Sequence, residues 1–331
     1  MYFELLDDPK VGQMLAEYAG NGFSPDWGVR ILSSASPLFK PSGYHYGSVW
    51  PLFTGWTALA EYAYGNSTQA FSHFTGTMRI KKFWNLGYVE EVMHGMEYKP
   101  SGVCPHQCWS ETNILHPGIH GMIGWRPDAP NKTAVLSPRF PLHWDSVQVN
   151  NLRAGTSRVT FRMSRSINST RFWFNLETGA AITMKFAPEL PAGMIVDSVL
   201  VNGKKQNIRN GNFRGVLKDT IKFLLRGKSE IVFRHRKGVG MFPVIPQPKP
   251  GDYSVGKRIV ASRLDGQKYR VRLQGQSGTN QVFKMRIFDQ SVKQIGGAEI
   301  VAAQDGVVSF RVRFPKSKDR FVERLITVEM Q

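Results

Sequence analysis

The feature that most constrains this fold is a change in the spacing of apolar residues near Pro127. Beyond that point apolar and polar residues alternate, as in SRVTFRM (157–163) and QKYRVRLQG (267–275). Alternation with a period of two places every second side chain on the same face of a β-strand. Asn202-Gly203 lies between two such stretches and predicts a type I′ hairpin turn. We therefore expect residues 131–331 to form an antiparallel, β-sandwich-like region.

The first part of the chain shows helical spacing instead, interrupted by long loops. Apolar residues recur with a helical period in the segments 2–19, 48–64, 67–82 and 107–124. The loops 23–47 and 83–106 are rich in aromatic, imidazole and charged side chains, which is typical of loops that line a binding site. Helix pairs joined by long decorated loops favour a helical barrel or toroid. The sequence thus predicts a multi-domain α+β protein, with a partial helical toroid over 1–130 and one or more basic, β-sandwich-like domains over 131–331.

The net charge of the chain is +18, and it is unevenly distributed. Residues 1–130 hold 8 basic and 11 acidic residues, whereas residues 131–331 hold 35 basic and 14 acidic residues. Because Arg and Lys occupy the polar positions of the alternating strands, the simplest interpretation is that they solvate and protect the outer strand faces. The alternative is a surface for an anionic glycan, a membrane or nucleic acid. No nucleic-acid-binding motif favours nucleic acid, and no apolar stretch is long enough to predict a membrane span.

Four short segments of the first part combine aromatic, basic and acidic side chains. They are DWGVR (26–30), SGYHYGSVWP (42–51), GYVEEV (87–92) and CPHQCWSE (104–111). Aromatic rings pack against sugar rings, and Arg, His, Gln and carboxylate groups bond to hydroxyls, so this mixture predicts a carbohydrate cleft. Hydrolysis of a glycosidic bond also requires two carboxyl groups. Glu90 and Glu91 provide candidate carboxylates in a loop.

These segments resemble, in the same order, motifs of the amylo-α-1,6-glucosidase region of glycogen debranching enzymes. WGVRILS and SGYHYGSVWP resemble the WGxRTLS and SYHxGSVWP motifs of that family, and VEEV and CPHQCWS resemble its LPEL and PQAW motifs. The resemblance covers residues 1–128. It implies an (α/α)6 barrel glycoside hydrolase that inverts configuration while it hydrolyses α-glucosidic bonds of oligosaccharides or polysaccharides, with a β-sandwich appended.

The resemblance also implies roles for individual residues. Glu91 falls at the Glu of LPEL, which is the general base, and Glu90 replaces the Pro of that motif and is the alternative base. The residues implied to bind substrate are Trp27, Arg30, Tyr44, His45, Gln107 and Trp109. An α-glucan or α-glucoside is the implied partner.

The resemblance leaves the general acid unaccounted for. In the family this carboxyl group lies upstream of WGxR, and an (α/α)6 barrel has twelve helices, whereas 130 residues supply four or five. We therefore expect the chain to be the C-terminal portion of a longer enzyme, inactive without the N-terminal half of the barrel. The alternative is a non-catalytic carbohydrate-binding or scaffolding protein.

Cofactor and metal chemistry have little support in the sequence. Cys104-x3-Cys108 with His106 places three possible ligands within five residues, but no distant CxxC or HxxxH pair completes a zinc site. We expect no metal and no cofactor. Two cysteines do not constitute a disulfide framework, and the first residues lack the basic region of a signal peptide, so the localisation stays open.

Overall fold

The computed structural model describes residues 7–84, 86–209 and 211–331. Its described residues include four α-helices: α1 (Asp8–Ala19), α2 (Pro51–Ala63), α3 (Ser67–Met78) and α4 (Cys108–His116). A 3₁₀ turn (Ile80–Lys82) follows α3, and a π-helical turn (Pro117–Ile123) continues α4. The start of the helix predicted over 2–19 lies outside the described residues.

Helix α2 is the centre of the helical part. Its sequence is apolar on almost every side, most of its residues are buried, and α3 and α4 pack against it. A β-carbon at Gly55 would lie 2.4 Å from the backbone oxygen of Asn113 in α4. Only glycine therefore allows α2 and α4 to approach this closely.

The described residues also contain twenty strands. They are β1 (Trp125–Asp128), β2 (Thr133–Leu136), β3 (Ser146–Ala154), β4 (Ser157–Arg165), β5 (Ser169–Thr178), β6 (Ile182–Phe186), β7 (Ile195–Val201), β8 (Lys204–Gln206), β9 (Asn212–Phe213), β10 (Val216–Leu217), β11 (Ile221–Leu225), β12 (Lys228–Arg236), β13 (Val239–Met241), β14 (Arg258–Asp265), β15 (Lys268–Gln276), β16 (Asn280–Ile287), β17 (Val292–Gly296), β18 (Glu299–Gln304), β19 (Val307–Arg313) and β20 (Phe321–Met330).

The longer strands form two β-sandwiches, each with its own apolar core. In the first, a six-stranded sheet (order β3-β4-β5-β12-β7-β8) faces a four-stranded sheet (β1-β2-β6-β11). In the second, two four-stranded sheets (β13-β16-β19-β18 and β14-β15-β20-β17) enclose a separate core. A short pair, β9 and β10, lies apart. Strands β2 and β6 run parallel, which departs from the antiparallel pairing predicted for this region.

The alternating sequence pattern decides which side chains enter these cores. Phe161 and Phe174 of the six-stranded sheet are fully buried, whereas Arg162 on the same sheet is exposed. The β7–β8 hairpin turns at Asn202-Gly203, where both residues have positive φ, as a type I′ turn requires.

The α+β class with a partial helical toroid, which the sequence analysis predicts, is wrong, because the regular structure of the described residues is mostly β-strand. The described residues contain four α-helices and five sheets, and no ring of helix pairs is present among them. A toroid buries its apolar helix faces against neighbouring helices. Here α1 and α3 pack against strand β14 instead, so the second β-sandwich covers part of their surface.

None of the helices in the described part of the chain has the length and apolar character that a membrane span requires.

A buried ion pair joins the helical part to the second β-sandwich. Arg258 Nη2, on β14, lies 2.8 Å from Asp26 Oδ1, and both side chains are almost fully buried. The same carboxylate accepts hydrogen bonds from the Ser254 hydroxyl (3.0 Å) and the Val255 N–H (2.9 Å). Such additional hydrogen bonds are what a buried ion pair needs to offset the desolvation of its two charges.

We expect Asp26→Asn to destabilise the protein by about 3–5 kcal/mol, because it leaves the Arg258 guanidinium buried without a counter-charge. The measurement is the midpoint of urea denaturation followed by circular dichroism. Asp197→Asn is the matched control, since its partner Arg236 lies 2.9 Å away but both side chains are nearly half exposed. It should cost less than about 1 kcal/mol. Equal midpoints for the two variants would contradict the structural role of the buried pair.

Candidate functional site

The candidate site is built from two loops, the first covering residues 20–50 and the second residues 86–107. The backbone N–H and C=O of Val49 bond to the C=O and N–H of Met93, each at 2.8 Å. A further bridge pairs Val49 with Arg30. This short ladder holds together two loops that are distant in sequence, and it explains why their aromatic and acidic residues meet.

The centre of the site is a hydrogen bond between Tyr44 and Glu91. The Tyr44 hydroxyl donates to Glu91 Oε1 at 2.7 Å, and the Glu91 N–H donates to the Cys104 carbonyl at 2.9 Å. The Glu91 side chain is 4% exposed. The hydrogen bond to Glu91, with smaller contributions from burial and the carboxylate charge, raises the pKa of Tyr44 to about 12. Tyr44 therefore remains a neutral donor that orients the carboxylate at physiological pH.

Aromatic rings surround Tyr44. The Trp50 indole donates its N–H to the Tyr44 carbonyl at 2.9 Å, and the two rings meet edge to face at 4.5 Å. The His45 imidazole stacks on Trp50 with ring centroids 5.8 Å apart, and His45 is exposed. Since Trp50 is buried, it holds Tyr44 and His45 in place while the imidazole faces solvent.

Gln107 and Trp109 lie at the start of α4, beside the second loop. The Gln107 N–H donates to the Val89 carbonyl at 3.2 Å, and its side-chain oxygen accepts from the Cys108 N–H at 3.1 Å. The Gln107 side chain therefore caps the helix. Trp109 is 43% exposed and available for contact with a ligand.

Trp27 and Arg30 occupy buried positions. Trp27 is completely buried, and its indole N–H donates to the His94 carbonyl at 2.9 Å. Arg30 donates to the backbone carbonyls of Gly95 (2.6 Å) and Asn21 (2.8 Å). Burial lowers the pKa of Arg30 to about 9, which leaves it charged at neutral pH. Both side chains therefore stabilise the loops through hydrogen bonds to backbone carbonyls.

Glu90 neighbours Glu91 in the second loop and is equally buried, with 5% of its surface exposed. The Tyr44 hydroxyl bonds to Glu91. The phenol therefore orients the carboxylate at position 91.

The sequence did not predict a hydrogen-bonded chain of buried polar groups formed by Ser24, His73 and Glu61. His73 Nε2 lies 2.8 Å from Ser24 Oγ, and His73 Nδ1 lies 2.8 Å from Glu61 Oε2. The order serine, histidine, carboxylate is that of a hydrolytic triad. However, Ser24 is completely buried and its hydroxyl donates to the Tyr18 carbonyl at 2.6 Å. The hydroxyl proton is already used in this hydrogen bond, so Ser24 is not an accessible nucleophile. The network instead links α2 and α3 to the first loop.

No group of three or more His, Cys, Asp or Glu side chains among the described residues could hold a metal ion. Cys104 and Cys108 are free thiols, and the Cys104 thiol donates to the His106 carbonyl at 2.9 Å. The His106 ring stacks on Tyr88 with centroids 4.5 Å apart.

Comparison with known proteins gives only distant similarities. No protein-family model matches the chain, and no curated protein matches it. A GH127 β-L-arabinofuranosidase from Geobacillus stearothermophilus T6 is similar over 93% of this chain and 51% of its own, with 11% identity and a TM-score of 0.32. An α-L-rhamnosidase from Dictyoglumus thermophilum is similar over 55% of this chain and 21% of its own, with 9% identity and a TM-score of 0.36. A structure described as a glycoside hydrolase covers 85% of this chain and 50% of its own, with 9% identity and a TM-score of 0.31.

The chain thus has a weak, coarse structural similarity to glycoside hydrolases, and it spans about half or less of those proteins. The similarity does not extend to a specificity for α-glucosidic bonds. The resemblance to debranching glucosidases inferred from the sequence motifs is wrong, because no family model matches and the described residues lack the helical barrel. Short motifs report local spacing, which other folds can share.

The hydrogen bond between Tyr44 and Glu91 leads to a test by titration. In Glu91→Gln the neutral amide no longer stabilises the phenol form, so we expect the Tyr44 pKa to fall from about 12 towards roughly 10. NMR of ¹³Cζ-labelled tyrosine measures this change, and Tyr44→Phe assigns the resonance. At pH 11 Tyr44 should be neutral in the wild type and largely ionised in Glu91→Gln. Glu90→Gln is the control, and the same fall in that variant would contradict the assigned pairing.

Proposed function

We propose that the Tyr44–Glu91 site binds a glycoside and that Glu91 is the general base of glycosidic bond hydrolysis. The observation that carries the proposal is the 2.7 Å hydrogen bond from a neutral phenol to the Glu91 carboxylate, beside an exposed imidazole. A carboxylate held in this way can take a proton from a water molecule that attacks the sugar.

The surrounding side chains suit a sugar. His45 stacks on a buried indole and faces solvent, and Trp109 is exposed at the start of α4. Imidazole and phenol groups exchange hydrogen bonds with hydroxyls, and an exposed indole offers an apolar face to a pyranose ring. Trp27 and Arg30 act indirectly, because they fix the loops that carry Tyr44 and Glu91.

Hydrolysis also needs a proton donor opposite the base, with a gap of about 6.5–9.5 Å in an inverting reaction. We assign no residue to this role. The chain therefore supplies the sugar site and the base, and it hydrolyses a glycoside only where a second carboxyl group faces Glu91. A purely carbohydrate-binding role is the second candidate function, and the near-complete burial of Glu91 favours it.

The first experiment measures sugar binding by the full chain with isothermal titration calorimetry. The panel contains maltose, isomaltose, a methyl β-L-arabinofuranoside and a methyl α-L-rhamnoside. We expect at least one of these to bind with a Kd of about 1 mM or lower, and Tyr44→Phe to weaken that binding several-fold. Tyr46→Phe is the matched control, because Tyr46 lies in the same loop and is half exposed. Failure of every panel member to bind would contradict the proposed function.

The second experiment measures sugar release from the same glycosides. We expect no release above background from the chain alone, because in the single step of an inverting reaction one carboxyl group cannot both protonate the leaving group and activate the water. If release is found, Glu91→Gln should lower kcat by orders of magnitude and leave KM nearly unchanged, since the base acts mainly in the transition state. Glu90→Gln is the control. Loss of activity in Glu90→Gln alone would move the base to that residue.

A further inference from the structure

The outer face of the six-stranded sheet carries a tryptophan where the strand pattern calls for a polar residue. In β5, Phe172 and Phe174 point into the core of the first sandwich, so Trp173 points away from it. The indole is half-buried in a groove of about 450 Å³. This volume is within the range of small-molecule sites, and the groove lies in the first β-sandwich rather than in the loops of the Tyr44–Glu91 site.

Strand register places polar side chains on both sides of this indole. Arg162 of β4 and Glu230 of β12 are the direct cross-strand neighbours of Trp173, and Gln148 of β3 lies beyond Arg162. Alternate positions on one strand face the same side of a sheet, so these side chains share the outer face.

The next row along the strands continues the polar rim. Thr160, Asn175 and Lys228 are cross-strand neighbours in β4, β5 and β12, and all three line the groove. Asn202, at the β7–β8 turn, also lines the groove. Its side-chain oxygen accepts the Glu230 N–H at 2.8 Å. An aromatic face with amide, hydroxyl and carboxylate groups around it matches a sugar ring with its hydroxyls.

Some charged side chains of the groove have an oppositely charged partner among the described residues, and others do not. Glu230 lies 3.8 Å from Arg171, so its charge already has a basic partner. Within the described chain, no carboxylate lies within 4.0 Å of the cationic nitrogens of Arg162 or Lys228. The Arg162 guanidinium instead lies 5.5 Å from the centre of the Trp173 ring. Two cations next to an aromatic face favour a ligand that carries negative charge.

We propose that this outer face is a second binding site, which takes an oligosaccharide carrying carboxylate or sulfate groups. A sugar ring stacks on Trp173, its acidic group meets Arg162 or Lys228, and the amide and hydroxyl side chains bond to its hydroxyls. The groove offers one indole with amide, hydroxyl and carboxylate groups around it, which suits a sugar and its hydroxyls. Proteins that bind single-stranded nucleic acids instead stack successive bases on several aromatic rings.

The test is isothermal titration calorimetry of the full chain with trigalacturonate, a sulfated heparin tetrasaccharide, neutral maltotetraose and single-stranded oligo(dT). We expect the carboxylated or the sulfated sugar, or both, to bind at least ten-fold more tightly than maltotetraose and oligo(dT). The two acidic sugars distinguish carboxylate from sulfate as the preferred group. Tighter binding of maltotetraose or oligo(dT) would overturn the proposal.

Variants locate the binding. Trp173→Ala should weaken acidic-sugar binding at least ten-fold, whereas Tyr253→Ala should leave it unchanged. Tyr253 is a matched control because it is an exposed ring with an arginine, Arg320, 5.4 Å from its centre, on another part of the surface. Equal affinities of wild type and Trp173→Ala would overturn the proposal.

Charge variants keep the test valid if Trp173→Ala misfolds. Arg162→Gln and Lys228→Gln should each lower the affinity several-fold and reduce its dependence on salt, since each removes one ionic contact. Lys222→Gln, on the opposite sheet of the same sandwich, is the control.

Tyr44→Phe should leave acidic-sugar binding unchanged, so failure of this second site and failure of the Tyr44–Glu91 site are separable. Loss of binding in Lys222→Gln or Tyr44→Phe equal to that in Arg162→Gln would contradict the location.

Discussion

The buried ion pair between Asp26 and Arg258 is the interaction on which the arrangement of the helical part and the second β-sandwich depends. Both charged side chains are almost completely removed from water, so each requires the other as its counter-charge, held in one geometry. Asp26 lies in the first site loop, just before Trp27. The contact that docks the β-sandwich therefore also fixes the start of the loop that carries Tyr44.

The most distinctive sequence motifs serve two different purposes in the structure. Trp27 and Arg30 are buried, and their donors satisfy backbone carbonyls of the second site loop. Loop carbonyls lack the partners that a helix or sheet would provide, so such side chains make a long loop rigid. Tyr44 and Glu91 then lie on this rigid base, where a short hydrogen bond can orient a carboxylate.

The large positive charge of the β region also divides into two classes. Many arginines pair with a neighbouring carboxylate on the sheet surface, as Arg158 does with Glu177 at 2.9 Å. Pairs of this kind are exposed and contribute little to stability. Arg162 and Lys228 lie beside Trp173 without such compensation, and this difference separates a solvated strand face from a candidate binding surface.

Local order was readable from the sequence, whereas the meeting of distant segments was not. The alternation in SRVTFRM predicts that Phe161 is buried and Arg162 exposed, and the turn at Asn202-Gly203 follows from the conformational preferences of those two residues. Each of these features depends on neighbours within a few positions. For the same reason the motifs placed Tyr44, His45 and Glu90-Glu91 in loops, but their spacing did not tell which carboxylate the phenol would reach.

Tertiary structure alone decided the surroundings of the helices and the burial of individual motif residues. The helical pattern was compatible with a toroid, yet α1 and α3 pack on strand β14, because apolar faces bury against whichever surface the whole chain brings to them. The Ser24–His73–Glu61 network likewise joins residues from three separate segments. Sequence periodicity determines which face of an element is apolar, but only long-range packing determines what that face meets.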